Sequence, residues 1–261
     1  MKKWIYNVLI ILFVAVFLFA AYKLGTILWG YYQNRQLQSE IQDIFHSEGG
    51  TDKTDGDKEE SESRTETIEK DPFQIIQEIN SDVKAWLEIP GADVDHPVVQ
   101  AEDNEYYLNR DFYKKYRYAG TLYFDYRNNL EGSFQNLIIY GHHMSDGSMF
   151  GKLGDFLKKD FYEKNKTFTM ITEDTVYECE IFAVYQCLTD FPYAQPVLFN
   201  EEYYTEYVQM CREASIYDTG TQISPGDLLL TLSTCDLRYD KEKGRIVIQA
   251  KLTPVAARTE K

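Results

Sequence analysis

The feature that most constrains this chain is an uncharged apolar run close to its amino terminus. Nineteen residues, from Trp4 to Tyr22, carry no charged side chain, and they follow Lys2 and Lys3. As a helix, this run measures about 28 Å at about 1.5 Å per residue, which is close to the hydrocarbon thickness of a bilayer. The run therefore predicts one transmembrane helix, with residues 4–32 as anchor and interface.

The charges around this run predict its orientation. Lysines before a span hold that end in the cytoplasm, so residues 1–3 form a cytoplasmic tip and the rest of the chain lies outside the cell. A cleaved signal peptide is the alternative, but the run is long for that role and Ala20-Ala21 is a weak cleavage site. The sequence has no second apolar run of this length. We expect a single-pass protein of the cell membrane with an extracellular domain.

A polar tract follows the apolar run. It begins as a short helical pattern, and ten acidic and four basic residues then lie between His46 and Asp71. With few apolar side chains such a tract forms no core, so residues 33–70 are predicted to be an acidic flexible stalk. The whole chain has a formal charge of −15. This charge argues against a nucleic acid partner, because a surface that binds phosphates should be basic.

The four cysteines do not form an obvious disulfide set. Cys179 and Cys187 lie in one predicted strand, and eight strand residues cover about 26 Å, whereas a disulfide needs Cα atoms within about 7 Å. Cys211 lies in a helical pattern. We interpret these three as small buried apolar side chains. Cys235 differs from them, because it ends a predicted strand and meets a polar loop.

From Asp71 onwards, short β-rich runs alternate with turn residues. Asp71-Pro72 predicts a helix start, and two further helical patterns cover residues 149–165 and 200–215, the second with Asn200 as its cap. The β-rich runs are AWLEIPG, HPVVQ, GTLYFD, NLIIYG, FTMIT, TVYECEIFAVYQC, DLLLTLSTC and RIVIQAKL. They predict a mostly β fold, a closed or nearly closed barrel of seven to eight strands with flanking helices. The sequence has no glycine-rich phosphate loop and no His/Cys metal spacing, so we expect no cofactor and no metal.

The thiol of Cys235 stands in a setting that suits a nucleophile. A free thiol is only a few per cent thiolate near neutral pH, so a catalytic cysteine needs a base or a positive neighbour. Arg245 opens the strand after the loop 236–244, and in a hairpin it would lie beside Cys235 at the rim. Its guanidinium can stabilise an oxyanion that forms when sulfur attacks a carbonyl. Taken alone, Arg245 would be read as a surface salt bridge.

A candidate base comes from the four histidines. His46 falls in the predicted stalk, and His96 precedes a proline at a strand start, where we interpret it as structural. His142 and His143 follow an apolar strand and a glycine, a placement like that of the cysteine. One imidazole there can exchange a proton with a thiol and a leaving amine, although a lone histidine at a strand end is more often a polar surface residue.

Together these residues resemble a class B sortase. The resemblance is carried by TLSTC, by the arginine ten positions later in GRIVIQAKL and by the upstream YGHHM and GSMF, with support from VKAWLEIPG, HPVVQ and GTLYFDYRN. It covers about residues 71–252. It implies a sortase-like closed β-barrel and a catalytic domain at residues 71–261. The calcium-binding acids of class A sortases have no counterpart that we can place, so the metal prediction stays at none.

The resemblance also implies roles for individual residues. Cys235 is the nucleophile, Arg245 the oxyanion or substrate-positioning group, and His142, which directly follows the glycine, the general acid/base. Three residues are expected to line the peptide groove: Tyr140, Ser233 and Thr234. Some class B members carry an acid two places after the cysteine. Leu237 occupies that position here, and Asp236 stands one place earlier.

The implied reaction is transpeptidation. The thiol attacks the threonine carbonyl of a sorting signal, of the NPxTx kind, in a secreted surface protein of a Gram-positive cell. A thioacyl enzyme forms, and an amine of a peptidoglycan precursor, lipid II-like, then takes the acyl group. A cysteine hydrolase of the same fold, a pilus-assembling sortase and a non-enzymatic binding barrel are the alternatives. The pilus type usually carries a second membrane segment near its end, and this sequence ends in LTPVAARTEK.

Overall fold

The computed structural model describes residues 2–47, 71–130, 135–198 and 200–258. The greater part of the predicted stalk, residues 48–70, lies outside the described residues. The chain divides into two compact units, Met1–Glu40 and Ile41–Lys261. The first unit is helical, and the second contains all of the strands described below.

The described residues of the first unit all lie in one long helix, α1, which runs from Lys2 to His46. Among the described residues it is the one helix that is long and apolar enough to cross a membrane, by length and composition. Its large apolar side chains, from Trp4 to Trp29, are exposed, as they would be on a lipid-facing helix. The helix continues through residues 33–46, where the sequence predicted a short helix at the start of the stalk.

Eight strands in the described residues form a closed barrel, as predicted. They are β1 Val83–Ile89, β2 Val94–Val99, β3 Leu122–Phe124, β4 Asn136–Tyr140, β5 Thr167–Thr172, β6 Thr175–Leu188, β7 Leu228–Cys235 and β8 Gly244–Ala257. Around the barrel their order is β1-β2-β3-β4-β7-β8-β6-β5. The β2–β3 and β4–β7 pairs are parallel, and the other pairs are antiparallel. Closure leaves no strand edge open to pair with another chain.

Short helices flank the barrel. They are α2 Pro72–Ile79, α3 Lys159–Lys164 and α4 Glu201–Ala214, with 3-10 turns at Pro90–Ala92, Tyr106–Asn109 and Leu153–Leu157. Both predicted caps are confirmed: the Asp71 carboxylate accepts a hydrogen bond from the Phe73 amide at 2.7 Å, and the Asn200 side chain accepts one from the Tyr203 amide at 2.8 Å. Each cap satisfies an amide that the first turn of a helix leaves without a partner.

The helical pattern over residues 149–165 is not one helix, and here the sequence-based prediction is wrong. A 3-10 turn and α3 are separated at Lys158, whose backbone is extended with φ −97° and ψ 123°. The break allows both Phe156 and Tyr162 to be buried, and the Phe156 ring meets the Phe161 ring edge-on at 4.9 Å. Burying these large rings outweighs the local preference for a continuous helix.

The last turn of α1, within the second unit, packs on the β1–β2 pair. The Phe45 ring stacks on the buried Trp86 ring with centroids 3.9 Å apart. The Trp86 indole donates to the Asp95 carboxylate at 2.6 Å, and His46 Nε2 lies 3.0 Å from both oxygens of the same carboxylate. The Gln42 side chain donates to the Asp95 backbone carbonyl at 2.8 Å. Residues 42–46 are therefore anchored on the barrel by aromatic packing and hydrogen bonds.

His96 is a buried imidazole inside this fold, which agrees with its interpretation as structural. It lies opposite Leu87 in the β1–β2 register, and only 4% of its surface is exposed. Its Nε2 atom has no hydrogen-bond partner among the described residues. Burial lowers the pKa of His96 to about 4, and the neighbouring Asp95 opposes this shift. The native barrel therefore holds His96 in its neutral form.

We predict that His96 makes the barrel less stable in mild acid. An unfolded histidine has a pKa of about 6.5, so between that pH and about 4 the unfolded chain binds a proton that the folded chain excludes. Because burial lowers the pKa of His96 from its ordinary value of about 6.5 to about 4, the free energy of unfolding should fall by about 3 kcal/mol as the pH decreases across this window.

The measurement is urea unfolding of residues 33–261 at several pH values, for wild type and His96→Leu. The variant should lose most of this slope between pH 6.5 and 4, because leucine cannot bind a proton. Equal slopes in the two proteins would contradict the assignment to His96.

Candidate active site

Cys235 and Arg245 face each other at one rim of the barrel. Cys235 is the last residue of β7, Arg245 is the second residue of β8, and the two are direct partners in the antiparallel register. Directly paired residues project to the same face of a sheet with Cβ atoms about 5 Å apart. The predicted hairpin is therefore confirmed, and it places Cys235 and Arg245 side by side on one face of the sheet.

Asp236 fixes the loop that joins these strands. Its carboxylate accepts hydrogen bonds from the Gln186 side chain at 2.5 Å and the Arg238 amide at 3.0 Å. Its amide donates to the Gly244 carbonyl at 2.8 Å, and a Cβ on Gly244 would lie 2.2 Å from the Asp236 carbonyl oxygen. Leu237, at the position where some class B members carry an acid, is exposed. Asp236 thus stabilises the turn that carries Arg245 back to Cys235.

The chain that carries His142 leaves β4 at the same rim. Tyr140 pairs with Ser233 in the parallel β4–β7 register, and beyond the strand end the Thr234 hydroxyl donates to the Gly141 carbonyl at 2.8 Å. Gly141 is required here, since a Cβ would approach Leu122 to 2.4 Å. The residue before His142 and the residue before Cys235 are therefore in direct contact.

Two contacts define the position of the His142 ring. Its Nε2 atom lies 2.8 Å from the Leu108 carbonyl oxygen, and its face stacks on Tyr118 with centroids 5.6 Å apart and an interplanar angle of 12°. A carbonyl oxygen only accepts hydrogen bonds, so Nε2 carries the hydrogen. In the neutral imidazole the lone pair is then on Nδ1, which is the nitrogen able to take a proton.

His143 has different surroundings from its neighbour. Its backbone forms an isolated bridge with Met149. Burial lowers the pKa of His143, the Arg238 guanidinium lowers it further, and Asp236 opposes both effects. His143 therefore faces the β7–β8 loop charges, while His142 contacts Leu108 and Tyr118.

Tyr193, which the sequence reading did not single out, completes the surroundings of Arg245. Its hydroxyl lies 3.0 Å from the Ser233 hydroxyl. Burial raises the pKa of Tyr193, while the hydrogen bond with Ser233 and the charge and hydrogen bond of Arg245 oppose the rise. The Arg245 guanidinium also donates to the Gly244 carbonyl at 2.8 Å. Nothing in the local sequence marks Tyr193, because it lies between β6 and α4, far from β7 and β8 in sequence.

A buried polar network supports Tyr193 from beneath. The Tyr207 hydroxyl of α4 donates to the Tyr193 carbonyl and accepts from the side chains of Asn136 at 3.1 Å and Gln249 at 2.7 Å. The Thr231 hydroxyl donates to Asn136 at 2.9 Å and accepts from Gln249 at 3.1 Å. A fully satisfied network of this kind holds its members in one arrangement.

The pKa of one tyrosine, Tyr123, responds to both Cys235 and Arg245. Burial raises the pKa of Tyr123, and the Cys235 thiol and the Asp125 carboxylate raise it further. The Arg245 guanidinium acts in the opposite direction on the same phenol. Tyr123 is opposite Tyr140 in the β3–β4 pair, so the rim is continuous from β3 to β8.

The three residues predicted to line a peptide groove do not all project to the same face of the sheet. The Tyr140 hydroxyl donates to the buried Asp125 carboxylate at 2.9 Å, and Asp125 is also paired with Arg127 at 2.7 Å. Burial raises the pKa of Tyr140, and the Asp125 charge adds to this effect. Ser233 is buried on the face of Cys235, whereas Thr234 projects to the other face and uses its hydroxyl on the Gly141 carbonyl.

The other three thiols are buried and free, as predicted. Burial raises the pKa of Cys211 to about 11 and that of Cys179 well above its usual range. Burial also raises the pKa of Cys187 to about 12, and the Arg245 charge opposes that rise. Cys187 is opposite Arg245 on the β6 side. It lies two strands, about 10 Å, from Cys235, beyond the reach of a disulfide. Cys235 alone of the four is partly exposed.

One group within the described residues has the donors for a metal ion: His46, Glu88 and Asp95, whose ligand atoms lie within 4.8 Å of one another. It is on the β1–β2 pair, away from β7 and β8. Burial raises the pKa of Glu88, and the Asp95 charge adds to it. Asp95 already accepts hydrogen bonds from Trp86 and His46, which account for its position without an ion.

The closed barrel carries Cys235, Arg245 and His142 on segments that meet at one rim, an arrangement suited to a cysteine enzyme built on a β-barrel. A model of the sortase domain family matches residues 87–253, which begin within β1 and end within β8. The chain belongs to the sortase family. The class B resemblance is confirmed, and with it the enzyme class, a sortase-type cysteine transpeptidase.

The most similar proteins found include several class B sortases. Sortase B of Listeria monocytogenes is 35% identical over 251 residues, covering 96% of this chain and 98% of that protein. The crystal structure of sortase B from Bacillus anthracis has a TM-score of 0.73 at 32% identity and covers 87% of this chain and all of that one. A Staphylococcus aureus sortase B–substrate complex has the same TM-score at 28% identity, over 86% of this chain and 98% of that one.

We predict that one thiol of the folded protein reacts selectively with iodoacetamide. Cys235 should be alkylated at least tenfold faster than the other three thiols, because burial keeps the reagent away from those thiols and disfavours their thiolate form. Peptide mass spectrometry after timed alkylation measures the four rates, and urea-unfolded protein is the control in which all four should react. Fast labelling of Cys187 or Cys211 in the folded state would contradict this arrangement.

Proposed function

We propose that this sortase cleaves an NPxTx-like sorting motif after threonine and attaches the surface protein to a cell-wall amine. Cys235, His142 and Arg245 are assigned as its catalytic residues. The observation that carries the proposal is the meeting of three chain segments at one rim. Cys235 is directly opposite Arg245, and Gly141, which precedes His142, accepts a hydrogen bond from Thr234.

In the first half of the reaction, the Cys235 thiolate attacks the threonine carbonyl carbon and a carbon–sulfur bond forms. The Arg245 guanidinium, a fixed cation beside the thiol, stabilises the negative charge that develops on the carbonyl oxygen. The carbon–nitrogen bond then breaks, and the protonated His142 gives the proton on Nδ1 to the leaving amine. A thioester between threonine and Cys235 remains.

In the second half, the amine of a lipid II-like peptidoglycan precursor attacks the thioester. A new amide bond forms, the carbon–sulfur bond breaks, and His142 Nδ1 takes the proton that the amine loses. The Cys235 thiolate is regenerated. One amide replaces another, so the reaction needs no oxidant, reductant or bound cofactor.

The groove is assigned to the face that carries Ser233 and Cys235. Tyr140 would contribute its ring, since its hydroxyl is held by Asp125, and Ser233 would contribute its hydroxyl beside Tyr193. Thr234 would act by holding Gly141 in place. On this assignment the sorting peptide lies along the β4–β7 rim.

The long apolar helix anchors the enzyme at the membrane surface, where precursor and secreted substrate meet. We assign residues 1–3 to the cytoplasm, residues 4–32 to the span, residues 33–70 to the stalk and residues 71–261 to the extracellular catalytic domain. Within the stalk, residues 42–46 pack on the barrel. The charges of Lys2 and Lys3 support this orientation. A tether holds an enzyme close to membrane-bound reactants and raises their effective concentration.

The experiment that tests the function analyses products by mass spectrometry. A protein that comprises residues 33–261 is mixed with NPxTx-type and LPxTG-type peptides, with and without an amine acceptor. The same protein with Cys235→Ala is the control. We expect an acyl adduct on Cys235 and a threonine–amine conjugate, both absent from the control and both favouring NPxTx peptides. Cleavage that ignores the amine would indicate a hydrolase. The absence of any adduct would contradict the proposed substrate class.

A second prediction concerns the guanidinium. Arg245→Lys should retain the fold but lose turnover by about 100-fold or more, because one ammonium cannot reproduce two donors held in a planar fork. The same peptide assay measures turnover, and thermal unfolding checks the fold. Lys251→Arg, a substitution further along β8 in an ion pair with Asp227, is the matched control and should leave turnover unchanged. Near wild-type activity of Arg245→Lys would remove Arg245 from the mechanism.

A further inference from the structure

An exposed tyrosine lies flat against the His142 ring. Tyr118 is 67% exposed, in the segment between the 3-10 turn Tyr106–Asn109 and β3. Its ring is nearly parallel to the imidazole, at an interplanar angle of 12° and a centroid distance of 5.6 Å. Tyr118 therefore contacts the proposed general acid/base while most of its own surface stays in solvent.

The position of His142 in the chain shows what this ring contributes. His142 follows the end of β4, so no strand pairing restrains its side chain. The hydrogen bond from Nε2 to the Leu108 carbonyl fixes one atom of the ring, but the ring can still rotate about that bond. The offset, nearly parallel contact with Tyr118 restrains the remaining freedom, the plane of the imidazole. The two contacts together determine where Nδ1 points.

The segment that carries Tyr118 is braced on both sides. The buried Asp111 carboxylate accepts hydrogen bonds from the Lys115 amide at 3.0 Å and the Arg117 side chain at 3.1 Å. The Arg117 amide donates to the Asn109 carbonyl at 3.0 Å. After Tyr118, Gly120 adopts φ +61°, and a Cβ there would lie 2.5 Å from a backbone carbonyl. An exposed ring on a fixed backbone can act as a stable platform.

We propose that Tyr118 is a positioning residue for His142. The Tyr118 ring holds the plane of the imidazole so that Nδ1 stays directed at the reacting groups. The proposal rests on the proposed function, in which His142 Nδ1 transfers the proton. Tyr118 acts through its ring face and not through its hydroxyl. It touches His142 and needs no contact with the peptide.

The chain provides a matched control in the same segment. Tyr116 is 80% exposed, and no ring contact involves it among the described residues. The test therefore compares Tyr118→Leu, Tyr118→Phe and Tyr116→Leu with wild type, each as the full chain in detergent micelles. Tyr118→Phe keeps the ring and removes the hydroxyl, and Tyr118→Leu removes the ring.

The first readout separates kcat from KM with an internally quenched NPxTx-type peptide and hydroxylamine as the amine acceptor. Tyr118→Leu should lower kcat about tenfold or more with KM within about twofold, because the proton-transfer geometry is lost and the peptide site is kept. Tyr118→Phe and Tyr116→Leu should both stay within about twofold of wild type in both constants. Rescue by phenylalanine distinguishes a stacking platform from a hydrogen-bonding tyrosine.

The second readout does not depend on activity. Nitrogen NMR of protein labelled with ¹⁵N-histidine reports which ring nitrogen carries the hydrogen, and His142→Ala identifies the His142 signals among the four histidines. Wild type and Tyr118→Phe should show a single Nε2–H tautomer at His142. Tyr118→Leu should keep the Nε2–H tautomer but show exchange-broadened His142 ring signals, because the ring plane is then free to rotate about the hydrogen bond to the Leu108 carbonyl.

Several results would overturn the proposal. They are a Tyr118→Leu kcat equal to that of Tyr116→Leu, a loss confined to KM, which would make Tyr118 a peptide-binding residue, and His142 ring signals in Tyr118→Leu that are as sharp as in wild type. If wild type itself turns over no peptide, the proposed function fails, and the NMR comparison still decides whether Tyr118 orients His142.

Discussion

The register of β7 between its two neighbours is the constraint on which the site depends. β7 pairs in parallel with β4 as far as Ser233 and antiparallel with β8 as far as its last residue, Cys235. A slip of one residue would turn the thiol to the other face of the sheet and separate it from Arg245. Closure of the barrel prevents that slip, because every strand is held on both sides.

Helix α4 covers the outer face of these strands and fixes side chains around the site. Tyr207 in α4 is buried among hydrogen bonds from Asn136 and Gln249 and holds the Tyr193 carbonyl. Tyr193 in turn contacts Ser233 and Arg245. The position of the guanidinium is thus linked to a helix whose apolar side packs on β6, β7 and β8. A cation fixed in advance stabilises a developing oxyanion without reorganisation.

Local patterns predicted the fold well where each element follows from its own residues. Eight β-rich runs became eight strands, and the caps at Asp71 and Asn200 begin helices as expected. The prediction failed over residues 149–165, where a helical pattern breaks at Lys158. The reason is nonlocal: the barrel buries Phe156 and Tyr162 together, and periodicity within the segment contains no information about the surface it covers.

The sequence by itself determined the apolar helix, the barrel and the meeting of Cys235 with Arg245, because a hairpin across a short loop is a local relation. It also indicated His142, through a strand end like that of Cys235 and through the resemblance to class B sortases, in which the histidine directly follows a glycine. Only the tertiary structure decided which groups hold that histidine. Leu108 and Tyr118 lie 34 and 24 residues before His142, and packing between distant segments, which no local pattern encodes, brings them to its ring.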